Sequence, residues 1–310
     1  GYYYDYLNLP MLYHRWTPLQ IGDVKFPAGD PTILGGAFAV WNDIVGNGIS
    51  EPDVTDRVFP ALQVLSQKMW GGEDTVMNFT AFNALRQSKG EGPGLNLRAR
   101  VGSYAPGADS LVFSLKDFTK LSDKALHKVS WMKLKKEVLM DRGFSSSVLK
   151  KNPKVLAFSG KDSYVQLPIE EIGYDYTVSF YIYPDEVHPS ADAAIFQSKH
   201  AGVKLSQIGT GQLGFSREGY DYSFNFKAPS KQWTHIVITG TAKGTALYVN
   251  GQLQDRLYDH QIEYNDPAKS KVRKVETLVF PLEKLGGFKG KIGGLQVWNR
   301  LLKAGQIEQL

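Results

Sequence analysis

A chain of 310 residues, at the usual ~100–200 residues per domain, predicts two domains. Hydrophobic residues make up 42% and charged residues 22%, a globular balance, and no apolar run approaches the ~20 residues of a membrane-spanning helix. Cysteine is absent, which excludes disulfides, thiolate zinc sites and cysteine nucleophiles. The net charge of +5 is dispersed. Its densest stretches, "MKLKKE" and "KSKVRKVE", read as solvated faces, and with no recognition-helix or single-strand-binding motif beside them nucleic acid is not an expected partner.

In chain order, "GYYYDYLN" opens with Tyr2, Tyr3, Tyr4 and Tyr6, interrupted by Asp5. Residues 1–70 read as strand, loop, strand, helix. "PTILGGAFAVWND" is apolar from Ile33 to Trp41 without alternation, the pattern of a strand buried on both faces. A Gly/Asn turn follows. Ser50 is a helix cap with Glu51, Pro52 and Asp53 in the first turn. Val54, Val58, Leu62, Leu65 and Met69 then recur at helical spacing up to Gly71-Gly72. Residues 75–88 read as a second helix, bounded by "KGEGPG". Residues 89–152, with a strand-like "SLVFSL" and a basic stretch, form a connector of mixed pattern.

From about residue 153 the pattern is all-β. "SYVQLP", "YTVSFYIYP", "WTHIVITG", "ALYVNGQ" and "GGLQVWNR" are short β-branched and aromatic runs separated by turn residues, as in a β-sandwich. Asn250-Gly251 suits a type I′ hairpin turn. His235, beside Trp233, reads as a strand histidine with a hydrogen-bond partner. Asp162, Asp185 and Asp221 are scattered among turns, so no metal site is expected. Tyr220 and Tyr222 in "REGYDYSFNF" face either a sugar or the sheet core.

Trp41 and Asp43 lie two residues apart at the C-terminal end of the expected buried strand. In a βα barrel that end carries the active site. A sugar needs such a pair, a ring face to stack on and a hydroxyl acceptor. With Trp41-Asn42-Asp43, the helix closing on Trp70, and Tyr3 followed by Asp5, residues 1–70 resemble the last strands and helix of the family 20 glycoside hydrolases, the β-N-acetylhexosaminidases. The resemblance implies substrate-assisted hydrolysis, in which the substrate's 2-acetamido oxygen attacks the anomeric carbon. Tyr3 would take the role of stabilising the acetamido carbonyl, Trp41 the floor under the sugar, and Asp43 and Asp5 the outer hydroxyls. The family's catalytic Asp-Glu pair has no counterpart here. Glu170-Glu171 and Asp185-Glu186 read as solvated surface. The pair is therefore expected upstream, on a missing N-terminal barrel segment, which leaves the isolated chain inactive.

Residues 153–310 resemble a laminin-G-like, concanavalin-type jelly roll, most specifically in "KQWTHIVITGTAKGTALYVNGQ" and "GFKGKIGGLQVWNRLLKAGQIEQL". The expected fold class is α/β plus all-β: the C-terminal portion of a (β/α)8 barrel over 1–88, a connector over 89–152, and a β-sandwich over 153–310. The expected function is the C-terminal portion of a secreted or cell-surface bacterial exo-β-N-acetylhexosaminidase, without cofactor, with N-acetylhexosamine-containing glycans as partners. Two alternatives stand beside it: disaccharide release of the lacto-N-biosidase type, and a non-catalytic carbohydrate-binding or adhesive protein.

Overall fold

The structure is a computed structural model. It describes residues 6–40, 49–70, 77–89, 91–101, 111–115, 123–133, 154–191, 193–258 and 276–310. The chain divides into two compact units, with described residues up to Arg98 in one and those from Ala99 to Leu310 in the other. Among the described residues, no helix is long and apolar enough to cross a membrane.

The first unit is helical. Helix α1 (Leu9–Arg15) starts where the Asn8 side chain accepts a hydrogen bond from the Met11 amide at 3.0 Å. A short hairpin, β1 (Gln20–Ile21) with β2 (Val24–Lys25), follows. Helix α2 (Glu51–Trp70) spans the expected residues, and Ser50 marks its start through bonds from its amide and hydroxyl to the Asp53 carboxylate. Its buried stripe is Ala61, Val64, Leu65 and Lys68, whereas Leu62 and Met69, expected on the apolar face, are exposed. Helix α3 (Phe79–Ser88) is capped by Asn78, which starts it four residues later than the sequence reading. Tyr13, Val64 and Phe82 form the small core, with the Tyr13 and Phe82 rings stacked at 4.7 Å.

One expectation is corrected here. Residues 33–40 are not a strand, and Leu34 is 96% exposed. Gly35 and Gly36 interrupt the apolar run, and a β-carbon on Gly36 would lie 2.5 Å from the Trp16 ring. The backbone packs closely against an indole there instead of pairing with neighbouring strands, without which a buried strand leaves its amides unsatisfied. Among the described residues the sheets of this chain are antiparallel, and none is a parallel barrel sheet.

The second unit is a β-sandwich. Its strands are β3 (Leu111–Ser114), β4 (Leu126–His127), β5 (Val129–Lys133), β6 (Lys154–Ser159), β7 (Tyr164–Gln166), β8 (Glu171–Ile172), β9 (Tyr176–Pro184) and β10 (Ala194–Gln197). They continue as β11 (Ala201–Lys204), β12 (Gly214–Arg217), β13 (Tyr220–Ser223), β14 (Thr234–Thr241), β15 (Gly244–Val249) and β16 (Gln252–Tyr258). The last are β17 (Phe280–Pro281), β18 (Lys284–Gly286) and β19 (Lys289–Trp298), before a final turn of helix, α4 (Ala304–Ile307).

A seven-stranded sheet runs β13-β12-β11-β10-β18-β7-β4, and an eight-stranded sheet runs β16-β15-β14-β9-β19-β6-β5, with β3 on β19. The five runs read as strands from the sequence all lie in these sheets. Alternation sets the interior: Val178, Phe180 and Ile182 of β9 face Phe196, Val203 and Phe215 of the other sheet within one core. Strands β3, β4 and β5 come from the segment read as a connector, so the sandwich takes up chain well before residue 153. Asn250 and Gly251 have φ of +51° and +84°, the positive pair a type I′ turn requires.

Candidate functional site

The outer faces of the two sheets differ. On the eight-stranded sheet, Val237, Tyr248 and Trp298 point outward and are covered by Leu302 and Ile307 of the C-terminal segment. Thr177 fixes that segment. Its hydroxyl donates to the Arg300 carbonyl at 2.8 Å and accepts from the Leu302 amide at 3.0 Å. Tyr181 donates to the Leu310 carbonyl at 3.3 Å. Much of this face is thus spent on packing.

The outer face of the seven-stranded sheet carries no apolar cluster among the described residues. Register places Gln166, Lys284, Gln197, Gly202, Ser216 and Asp221 in one row across six strands. The neighbouring row brings Tyr164 opposite Gly286 and His127 opposite Tyr164. The His127 and Tyr164 rings stack at 4.4 Å, and the Lys284 ammonium lies over the Tyr164 ring, 5.1 Å from its centre. Each of these side chains stands outward because its strand neighbour, Val165, Leu285 or Phe196, is buried in the core.

The two ends of the row differ in chemistry. At the β11–β13 end the polar groups satisfy one another. Asp221 accepts from Ser216 and pairs with Lys204 at 3.4 Å, and Thr210 and Ser223 share a bond of 3.1 Å. At the β7–β10 end, Gln166, Gln197 and Lys284 make no side-chain hydrogen bond or ion pair among the described residues. Two amides able to both donate and accept, one ammonium and one phenol therefore face solvent together. That is the polar equipment for binding a polyhydroxylated ligand.

His235 is not part of such a site. It is 4% exposed, its Nε2 lies 2.8 Å from the Ser179 hydroxyl, and its ring stacks on Tyr181. Burial pushes its pKa down to about 4, so it is neutral at pH 7. This agrees with the sequence reading of a partnered strand histidine. Of the two tyrosines with two readings, Tyr222 packs against the core beside Phe215, whereas Tyr220 is 41% exposed.

Tyr3, Asp5, Trp41 and Asp43 lie outside the described residues. The alternative carboxylates are surface groups: Asp185 pairs with Lys291 at 3.0 Å and Glu186 with Lys289 at 3.8 Å. Among the described residues no three His, Asp or Glu side chains gather where a metal ion can be held.

Sequence reasoning did not single out Gln166, Lys284 and Gln197. The alternation Tyr164-Val165-Gln166 within "SYVQLP" held a signal for two of the outward groups. Lys284 and Gln197 lie in strands of three and four residues, too short to show a period.

Residues 159–308 match the family described as the concanavalin A-like lectin/glucanases superfamily, laminin-G type. No curated protein sequence matches the chain. Among solved structures, domain 4 of AbnA, an extracellular arabinanase from Geobacillus stearothermophilus, in complex with arabinotriose, is 18% identical, with 58% of this chain and 86% of that one covered and a TM-score of 0.37. A heptameric SAP-like pentraxin from Limulus polyphemus is 15% identical, covering 50% and 79%, with a TM-score of 0.33. Trypanosoma rangeli sialidase in complex with the inhibitor DANA is 15% identical, covering 50% and 27%, with a TM-score of 0.32. Likeness at this level does not bear on the ligand. The antiparallel two-sheet sandwich agrees with the match of residues 159–308 to a concanavalin A-like, laminin-G-type jelly roll.

Proposed function

We propose that this protein binds carbohydrate, and that the β7–β10 end of the open face of the seven-stranded sheet is where the glycan lies. The observation that carries the reading is the row Gln166, Lys284 and Gln197 beside Tyr164, where the two amides and the ammonium make no side-chain hydrogen bond or ion pair among the described residues. A sugar ring offers hydroxyls that pair with amides in both directions. The lectin-like superfamily of the domain supports the same reading. A secreted or cell-surface setting follows as part of it. The test is binding of the full chain to a glycan array, repeated with Gln166→Ala/Gln197→Ala. The double variant should lose about ten-fold in affinity, the scale of one to two hydrogen bonds. Unchanged affinity would remove the glycan from this face.

A second proposal concerns the N-terminal residues. In it, residues 1–88 close a family 20 barrel whose Asp-Glu pair lies outside these 310 residues, and the sandwich holds glycan for that hexosaminidase or for a lacto-N-biosidase. What supports it is the motif pair Tyr3/Asp5 and Trp41/Asp43, together with a helix that runs to Trp70 after it. The non-strand course of residues 33–40 weighs against it, and binding without catalysis is the better supported reading. Hydrolysis of a chromogenic β-N-acetylglucosaminide, by the chain alone and after joining the upstream segment of its gene, decides. Silence in both would end the hexosaminidase proposal.

A further inference from the structure

Among the described residues, several lysines of the sandwich sit in ion pairs and others do not, and Lys284, which does not, stands within the polar row of this face. Lys128, Lys204, Lys289 and Lys291 each have a carboxylate within 4 Å: Asp162 at 3.6 Å, Asp221 at 3.4 Å, Glu186 at 3.8 Å and Asp185 at 3.0 Å. Lys284 has none among the described residues. Its register partners are the uncharged Gln197 and Gln166, and its ammonium rests over the Tyr164 ring. Glu283, next to it in sequence, forms no ion pair with it. Asp221, the acid of the same row, stands four strands away, about 19 Å at ~4.8 Å per strand. That is beyond the ~8–10 Å over which surface charges act in physiological salt, and Lys204 already holds that carboxylate.

The face therefore presents, between two amides, a lysine that forms no ion pair among the described residues. Gln166 and Gln197 sit about 5 Å to either side of Lys284, so the three polar heads span the reach of a disaccharide. Tyr164 holds the lysine stem toward the sheet through the cation–π contact, which costs the ammonium none of its three donors. We infer that the glycan bound here carries a carboxylate, as a uronic or sialic acid does, with Lys284 pairing with that group and the glutamines with adjacent hydroxyls. This inference rests on the carbohydrate-binding reading of the same face.

The experiment measures the full chain against saccharides matched except for charge. One pair is polygalacturonate and its fully methyl-esterified form, by affinity electrophoresis. The other is sialyllactose and lactose, by titration calorimetry. At least one acidic member should bind about ten-fold or more tightly than its uncharged match, the scale of one charge-assisted hydrogen bond. The first pair reports a carboxylate within a chain, the second a terminal one. Lys284→Met, which keeps the stem over Tyr164, should reduce the acidic ligand to the level of its match. Lys289→Ala, on the other sheet, should leave the preference intact. Raised salt should erode it. If only neutral saccharides bind, or if Lys284→Met keeps the preference, the acid assignment falls and the carbohydrate reading stands. If no saccharide of either kind binds, both fall.

Discussion

The His235 imidazole lies flat on the Tyr181 ring, centroids 4.4 Å apart and planes at 15°, beneath the C-terminal segment that Tyr181 helps to hold. The polar contact of its ring is the Ser179 hydroxyl at Nε2, and its backbone is tied to Asn250, whose side chain accepts from the His235 amide at 3.0 Å and whose amide donates to the His235 carbonyl at 2.9 Å. No carboxylate among the described residues pairs with the ring. A proton on it is therefore unfavourable in the fold.

A pH dependence follows. Burial lowers the His235 pKa from 6.5 to about 4, so between those values the unfolded chain binds a proton that the folded chain does not. Stability on account of this group is full above pH 6.5, falls as pH drops toward 4, and is flat below. The loss is on the order of 3 kcal/mol at ~1.4 kcal/mol per pH unit. His235→Phe keeps a stacking ring and removes the titration. Urea unfolding at pH 7.5, 6, 5 and 4 should show the difference between wild type and variant narrowing or reversing as pH falls. A constant difference would mean that the histidine titrates normally.

The C-terminal segment is expected to be part of the sandwich's stability. Leu302 is 8% exposed and Ile307 is fully buried, and both cover Val237, Tyr248 and Trp298. Deleting residues 302–310 removes two apolar side chains worth ~1.5–3 kcal/mol each and uncovers the three beneath. The expected outcome is a loss of about 3 kcal/mol or more, with increased binding of a hydrophobic dye. Unchanged melting would show the segment to be dispensable.

Gly240 is required by Tyr176. A β-carbon at Gly240 would lie 2.2 Å from the Tyr176 ring, which is fully buried with its hydroxyl donating to the Leu278 carbonyl at 2.7 Å. The ring has nowhere to go without breaking that bond. Gly240→Ala should cost about 1–3 kcal/mol by overpacking, read as a lowered melting temperature. A neutral result would show that β14 shifts freely.

The β14–β16 region depends on Asn250 twice. It holds φ at +51° in the I′ turn, and its side chain accepts from the His235 amide. Asn250→Ala loses both and should destabilise by about 1–2 kcal/mol. Asn250→Gly keeps the turn and loses only the bond, so it should cost less. Equal losses in denaturant titrations would place the whole effect in the hydrogen bond.

Local chemistry alone determined much of this protein. Asn250-Gly251 specifies its turn because few residues tolerate positive φ, and the β-branched and aromatic runs of β9, β14 and β19 specify strands because both of their faces are buried. The helix at Glu51–Trp70 is legible from its cap and its spacing, although not the stripe it buries, since that depends on where Tyr13 and Phe82 come to rest. The apolar run at 33–40 misleads because hydrophobicity does not supply pairing partners, and Gly35-Gly36 serve a close approach to Trp16 instead. Only the tertiary structure recruits β3, β4 and β5 to the sandwich, because strands of two to five residues gain their stability from neighbours distant in the chain. Only it unites Gln166, Gln197 and Lys284 in one row. Alternation assigns each side chain to a face, but the register between strands, settled by packing of the shared core, decides which side chains meet.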